Sequence, residues 1–303
     1  MPPPVLLLTR IWPSRERPSL GRYVRDRAAG IDRLRIVRPR WPRAWRILVY
    51  PLLLVDALRA GPTIRGVEAH MLLPTGLIGL LVARMRRVPV VVYSHGGDVR
   101  NWRRLPAPLR WLARRVARRA DRILTNSADT ANYLRELGAH PIVVPPGVDL
   151  AAYRPTPRPS DRRVLYLGGR NERKGYSVAE ALADTLVGPW LNEVPPGEIP
   201  ALIASHDVVL IPSLAEPFGL VAVEAIASGR WVVARDVGGL REIIEEGVNG
   251  TLVADGDFAR ALSSVPEYDP ERIARTVDRY SLARWQAAMD AVWDELSPAA
   301  DAR

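Results

Sequence analysis

The chain has 303 residues, 48% of them apolar and 25% charged. That is room for two α/β domains with ordinary cores. Cysteine is absent and the four histidines (His70, His95, His140, His206) are scattered, which excludes disulfide scaffolds, thiolate zinc sites and cysteine nucleophiles, and leaves no metal-ligand spacing. The net charge of +10 is uneven: residues 1–150 carry 27 Arg against 10 acids (net +17), whereas residues 151–303 carry 16 basic residues against 23 acids (net −7). Such asymmetry points the first half at something anionic: nucleic acid, an acidic membrane surface or a phosphorylated acceptor.

The opening, MPPPVLLLT, lacks the charged start and long apolar run of a secretory signal. Val5–Thr9 reads as a buried strand, followed by a Pro/Ser/Arg loop and a helix from near Leu20. Strands are expected near Leu34–Val37 and Val67–Met71, with a proline-interrupted apolar stretch, Ile47–Leu58, between them. A helix over Thr75–Arg86 feeds a strand Val88–Ser94, and a helix over Leu105–Arg119 feeds Ile123–Asn126. A third helix, Ala128–Leu137, feeds Ile142–Val144. The longest uncharged stretch, Ala69–Ala83, is interrupted by Pro and Gly and falls short of the roughly 18 residues that span a bilayer. Residues 154–163, RPTPRPSDRR, have the composition of an interdomain linker.

Alternation restarts at Val164–Leu167. Strands near Thr185–Val187, Val208–Ile211, Trp231–Ala234 and Thr251–Val253 alternate with helices at Ser177–Ala183, Ile199–Ala204, Leu220–Ser228 and Leu240–Glu246. A last amphipathic helix covers Leu282–Leu296. Repeated β-α-β order implies parallel sheets covered by helices. The expected architecture is α/β: two Rossmann-like doubly wound domains facing across a cleft, divided at 150/151, with the final helix (281–297) packing back on the first.

Two features carry chemistry. Of 43 basic residues, Lys174 alone is lysine, and a compact ammonium is what lysine offers over the planar guanidinium. In SLAEPFGLVAVEAIASG, residues 213–229, a strand ends before Glu216, and Phe218-Gly219-Leu220 opens an apolar helix that bears Glu224. Free N–H groups at a glycine-opened helix start suit an anion such as a diphosphate. Spacing alone also allows a plainer reading, an acid favoured by the helix dipole and a solvated helical Glu.

EPFGLVAVE resembles the E-x₇-E motif of glycosyltransferase family 4, retaining enzymes of the GT-B fold. WPSRERPSLGRYVRD, HGGD (His95–Asp98), ADRILTNS with IVVPPGVDLAAYRP, LGGRNERKG and VGGLREIIEEGVNGTLV resemble further family elements in the family's order, over most of residues 5–255. The resemblance implies transfer of a sugar from a nucleotide diphosphosugar, such as a UDP- or GDP-sugar, to the hydroxyl of an acceptor glycan or lipid-linked sugar, with no other cofactor and no metal. It implies that Arg170 and Lys174 hold the donor diphosphate, with Arg173 an alternative to Arg170. Glu216 would contact the donor sugar beside the amides of Phe218, Gly219 and Leu220. Glu224 would bind ribose hydroxyls, His95 would meet the donor sugar, and Gly21 would lie in the phosphate-facing loop.

Asp98 also reads as a cap. His70 reads equally as an acceptor-side group or a satisfied strand-end histidine, and His140 and His206 read as structural. Asp255-Gly256-Asp257 spells a metal-binding D-x-D, but its place between a strand and a helix start suits turn and capping roles. Only 37 residues separate Lys174 from Pro212, fewer than the family commonly uses. A non-catalytic, membrane-associated nucleotide-sugar-binding protein is therefore the alternative function. Residues 100–122 hold nine Arg and one acid. As a helix with Leu105, Leu109, Leu112 and Val116 on one face, they read as a surface for anionic lipid or as a solvated face. The expected place is the cytoplasm, with the inner face of the plasma membrane as the peripheral site if these arginines meet lipid. Nucleic acid is disfavoured because no recognition motif or stacking platform accompanies the arginines.

Overall fold

The structure is a computed structural model that describes residues 3–12, 21, 24, 25, 28, 34–39, 49–61 and 63–296. Of the helix expected from near Leu20, Val24, Arg25 and Ala28 are described and are helical, and the rest falls outside the described residues. The chain divides into two units, one of Met1–Pro145 with Gln286–Arg303 and one of Pro146–Trp285.

The first unit is built on a six-stranded parallel sheet of order β2-β1-β3-β4-β5-β6. The strands are β1 (Val5–Leu8), β2 (Leu34–Val37), β3 (Gly66–His70), β4 (Val90–Ser94), β5 (Arg122–Thr125) and β6 (Pro141–Val143). β1, β3 and β4 are buried at every position, as expected of central parallel strands covered on both faces. The connecting helices are α1 (Val49–Arg59), α2 (Leu77–Arg86), α3 (Ala107–Arg119) and α4 (Ala128–Glu136). α1 turns the proline-interrupted stretch into a helix because Pro51 falls in its first turn, where no intrahelical N–H bond is lost. α2 begins later than the apolar pattern suggests: a wide turn over Leu72–Gly76 precedes it, entered through Met71 at φ 83°.

α3 corrects the face assigned to the basic segment. Trp102–Arg104 form a 3₁₀ turn, and the helix starts only after Pro106. That shifts the buried face to Ala113, Val116 and Ala117, leaving Leu109 42% and Trp111 59% exposed among the arginines. Trp102 is instead anchored inward, its indole N–H donating to Glu136 at 3.0 Å.

The second unit has a five-stranded parallel sheet of order β11-β10-β9-β7-β8. Its strands are β7 (Val164–Tyr166), β8 (Thr185–Leu186), β9 (Val208–Ile211), β10 (Trp231–Arg235) and β11 (Gly250–Val253). The helices are α5 (Tyr176–Leu182), α6 (Ile199–Ala204), α7 (Leu220–Ala227), α8 (Leu240–Ile243), α9 (Phe258–Ser263) and α10 (Pro270–Arg275). One helix, α6, fills the short connection from β8 to β9. Strand order leaves β7 in one direction to β8 and in the other to β9, so the topological switch point lies between β7 and β9. Ligands of open α/β sheets bind outside the strand carboxyl ends at such a point.

The proline-rich stretch 154–163 is not a free linker. It lies inside the second unit, where Arg158 meets Asp207 at 2.7 and 3.0 Å and Glu267 at 2.7 Å. Buried Arg230 donates to the Pro157 and Ala204 carbonyls. The first unit therefore ends at Pro145, five residues before the boundary expected from composition. α11 (Leu282–Leu296) starts in the second unit, with Leu282 N–H on the Val148 carbonyl at 2.8 Å, and belongs to the first from Gln286 onward.

Candidate functional site

In the second unit, the loops after β7 and β9 meet at the switch point. After β7, Gly168-Gly169 and Arg170 lead into a 3₁₀ turn, Glu172–Lys174, capped by the Asn171 side chain, which accepts from Arg173 N–H. Gly175 follows at φ 76° with its Cα against Pro212, where a Cβ would lie 2.3 Å from the carbonyl oxygen. Only glycine allows that approach, and Leu214 N–H bonds the Arg173 carbonyl at 3.0 Å to close it. The result is a contact that sequence spacing leaves unspecified: Lys174 Nζ lies 2.6 Å from Glu216 Oε2. The ammonium is 39% exposed and the carboxylate 12%. Ser213 Oγ donates to the same oxygen at 3.3 Å.

Two residues on, Phe218 is buried edge-on against Tyr280, and Gly219 at φ 116° is the N-cap of α7. No side chain caps this helix start, and Leu220 opens its first turn. Glu224 stands on the helix with Oε1 accepting from Tyr153 O–H at 2.9 Å. Lys174, Glu216, Gly219 and the α7 start thus come together. Arg170 is exposed, with its guanidinium over the Tyr176 ring at 5.6 Å, and Arg173 is exposed on the 3₁₀ turn. An ammonium and an uncapped helix start in one place can stabilise negative charge developing on a diphosphate leaving group.

In the first unit, His95 follows β4 in a loop pinned by Asp98. That carboxylate accepts from Ser94 Oγ (2.9 Å), His95 N–H (3.2 Å) and Leu72 N–H (2.6 Å). Asp98 is therefore more than a local cap: it ties the loops after β3 and β4 together. Burial raises its carboxyl pKa against the pull of those donors. Burial first, and the neighbouring His70 second, push His95 well below the usual imidazole value. Its Nε2 lies 2.9 Å from His70 Nδ1. Gly21 is in a left-handed conformation against the Ile11 backbone past the end of β1. His206 bridges the Leu202 carbonyl and Thr185 hydroxyl, each at 2.8 Å, as a structural group. Asp257 caps α9 by accepting from Arg260 N–H at 3.0 Å, and Asp255 pairs with Arg260, so both carboxylates of the D-x-D have local partners.

Two residues escaped sequence reading. Tyr153 binds Glu224 from 71 positions away. Glu68 sits fully buried on β3, and its only signal was an acid inside an apolar strand.

Comparison with known proteins agrees with this architecture. Residues 5–152 match the family model described as Glycosyltransferase Family 4, and residues 168–275 match Glycosyl transferases group 1. D-inositol 3-phosphate glycosyltransferase 1 of Catenulispora acidiphila is 36% identical over 266 residues, covering 67% of this chain and 63% of that protein. The D-inositol 3-phosphate glycosyltransferase of Mycobacterium tuberculosis is 32% identical over 253 residues, 65% of this chain and 52% of that protein. The chain thus spans less than two thirds of the length of these relatives. Among solved structures, Anabaena Alr3699/HepE in complex with UDP-glucose superposes with a TM-score of 0.77 at 19% identity, covering 96% of this chain and 99% of that one. Sucrose-phosphate synthase from Thermosynechococcus elongatus gives 0.75 at 18% identity, covering 97% and 99%. The chain belongs to glycosyltransferase family 4 and has the two-domain GT-B fold.

Proposed function

We propose that the protein transfers a sugar from a nucleotide diphosphosugar to an acceptor hydroxyl with retention of configuration, without a metal. The observation that carries this reading is the 2.6 Å Lys174–Glu216 contact beside the uncapped, glycine-opened start of α7. In this mechanism Lys174, the first-turn amides at Leu220, and Arg170 or Arg173 take up the negative charge that develops on the diphosphate as the sugar–phosphate bond breaks. Glu216 orients the ammonium and receives donor-sugar hydroxyls, Glu224 takes the ribose hydroxyls, and His95 is assigned to the donor sugar. Gly21 is assigned to the phosphate-facing loop. The leaving phosphate accepts the acceptor proton on the same face.

UDP-glucose, bound by the HepE neighbour, is the first donor to try. A phosphorylated polyol of the kind named for the relatives is the first acceptor, matching the +17 charge of residues 1–150. Nucleoside diphosphate release should be measured across a panel of nucleotide sugars. Wild type should release it, and Glu216→Ala should lose at least about a hundredfold in rate. Equal rates from the two proteins reject catalysis and leave the non-catalytic binder.

A second reading concerns place. Exposed Leu109 and Trp111 stand among the arginines of α3, and exposed Leu81 and Met85 lie on α2, which packs against it. Apolar tips within a cationic field suit the surface of an anionic bilayer. No described helix is long and apolar enough to cross a membrane, so the association proposed is peripheral. Cosedimentation with phosphatidylglycerol vesicles should be salt-sensitive and weakened by Trp111→Ser, and absence of binding at low salt removes this reading.

A further inference from the structure

The groups gathered at the switch point suit two parts of a nucleotide and leave the third unserved. Lys174, Gly219 and the α7 start suit a diphosphate, and Glu216 and Glu224 suit hydroxyls. None of them is a flat ring on which a base stacks. The aromatic side chains beside them are turned inward: Tyr166 on β7, Tyr176 and Phe218 are buried, and the Arg170 guanidinium lies over the Tyr176 ring. Trp190, in the loop after β8, differs from all three. It is 71% exposed, more than any other large apolar side chain among the described residues.

Backbone conformation sets this residue apart as well. Trp190 has φ 63°, a left-handed conformation that glycine or asparagine adopts at little cost and a bulky residue resists. A small residue would ease the tip of the loop, yet the tip carries an indole held in water, with no burial to offset the strain. The loop around it is closed. Val187 and Asn192 form a bridge at its base, Gly188 N–H donates to the Asn192 carbonyl at 3.1 Å, and Leu191 N–H donates to the Gly188 carbonyl at 3.1 Å. Leu191, the next residue, packs against the core.

This loop is joined to the one that carries Arg170. Gly169 N–H donates to the Val187 carbonyl at 3.0 Å, and Arg170 N–H donates to the Pro189 carbonyl at 2.9 Å. A Cβ on Gly188 would lie 2.6 Å from Gly169 N, and one on Gly169 would lie 2.6 Å from the Pro189 oxygen, so both glycines are needed for the approach. Trp190 is thus fixed one residue beyond Pro189, past the carboxyl end of β8, on the side of the sheet where ligands of open α/β sheets bind. Lipid is a poor occupant, because residues 151–303 carry a net charge of −7, which an anionic bilayer repels. We propose that Trp190 is a binding residue of the donor site, its exposed indole stacking on the base of the nucleotide whose diphosphate meets Lys174 and the Arg170 loop. Stacking needs only the π-face that every base has, so the ring adds affinity without choosing among bases. The inference rests on the nucleotide-sugar reading above.

Calorimetric titration of the full chain with UDP, GDP and ADP tests this. Trp190→Gly suits the left-handed backbone, so it keeps the loop while removing the ring. It should weaken every nucleotide that wild type binds by about 5- to 150-fold, the range for loss of one base–aromatic stack. Trp190→Phe keeps a ring and should stay within roughly threefold of wild type. A second readout follows the indole itself: saturating nucleotide should quench tryptophan emission more in wild type than in Trp190→Phe. Because the side chain is exposed, neither variant removes core packing, and matching thermal melts check the fold. Binding by Trp190→Gly within about twofold of wild type, or equal quenching in wild type and Trp190→Phe, overturns the proposal and leaves the ring to a protein partner, while the nucleotide binding still supports the donor reading. If wild type binds none of the three nucleotides, the donor reading fails and this inference fails with it.

Discussion

Each unit sets one carboxylate against one nitrogen base, and the two pairs differ in their access to water. Glu68 and His70, 3.1 Å apart, are sealed, with no exposure on either side chain, whereas Lys174 is 39% and Glu216 12% exposed. A sealed pair cannot be solvated if its geometry changes, so it persists and can hold a neighbour in place. An open pair is partly screened, and its ammonium can trade the carboxylate for a more highly charged anion at little cost. The first arrangement suits orientation and the second suits a ligand that comes and goes.

The largest effect expected from this contrast is on turnover. Lys174→Ala removes the one ammonium at the α7 start, and loss of a fixed group that stabilises leaving-group charge typically costs about 10²–10³ in kcat. Arg173→Ala, on the same 3₁₀ turn but without the carboxylate contact, should cost less than about tenfold. Steady-state release of nucleoside diphosphate measures both. Equal losses would mean that general positive charge, not the placed ammonium, carries the chemistry. Because Lys174 is open to solvent, its removal should also leave thermal stability nearly unchanged.

The open pair was far more legible in sequence than the sealed one, for a topological reason. Glu216, Gly219 and Glu224 lie within nine residues of one another, and a lone lysine among arginines marks itself. The parallel alternation of strands and helices likewise placed the sheets, because buried parallel strands read as continuous apolar runs. That same burial hides Glu68 and His70: β3 is inside at every position, so period-two alternation has nothing to report. Their meeting with His95 depends on β3 pairing with β4 in the register His70↔Tyr93, and with Trp293 on a helix 225 positions away. Neither distance is written locally. The start of α9 is marked by its Asp257 cap, whereas α10 has no sequence signal beyond Asp269 because it is six residues long and held by that cap rather than by a long apolar period. The face of α3 was misjudged because Pro106 resets the helix start, which periodicity counted from Leu105 ignores.

The smallest effect separates the units by their histidines. Burial lowers the pKa of His95 in the first unit and of His206 in the second. A histidine held neutral in the folded state binds its proton more readily once unfolded, so stability falls as pH drops below the unfolded value of about 6.5. The loss continues until the folded value is reached, at no more than about 1.4 kcal/mol per pH unit for each histidine. Asp98 works in the opposite sense, since burial raises its carboxyl and the folded state then takes up that proton first. For His206 the mechanism is specific. Its two ring nitrogens meet the Leu202 carbonyl and the Thr185 hydroxyl, and only a neutral ring can donate to the first and accept from the second. His206→Gln keeps one donor and one acceptor but cannot titrate. Urea unfolding at pH 7.0 and 5.5 should therefore show a smaller drop in stability for the variant than for wild type, by less than about 2 kcal/mol. An identical drop would mean that His206 takes up its proton without breaking either contact, and that the acid sensitivity belongs to the sealed array of the first unit.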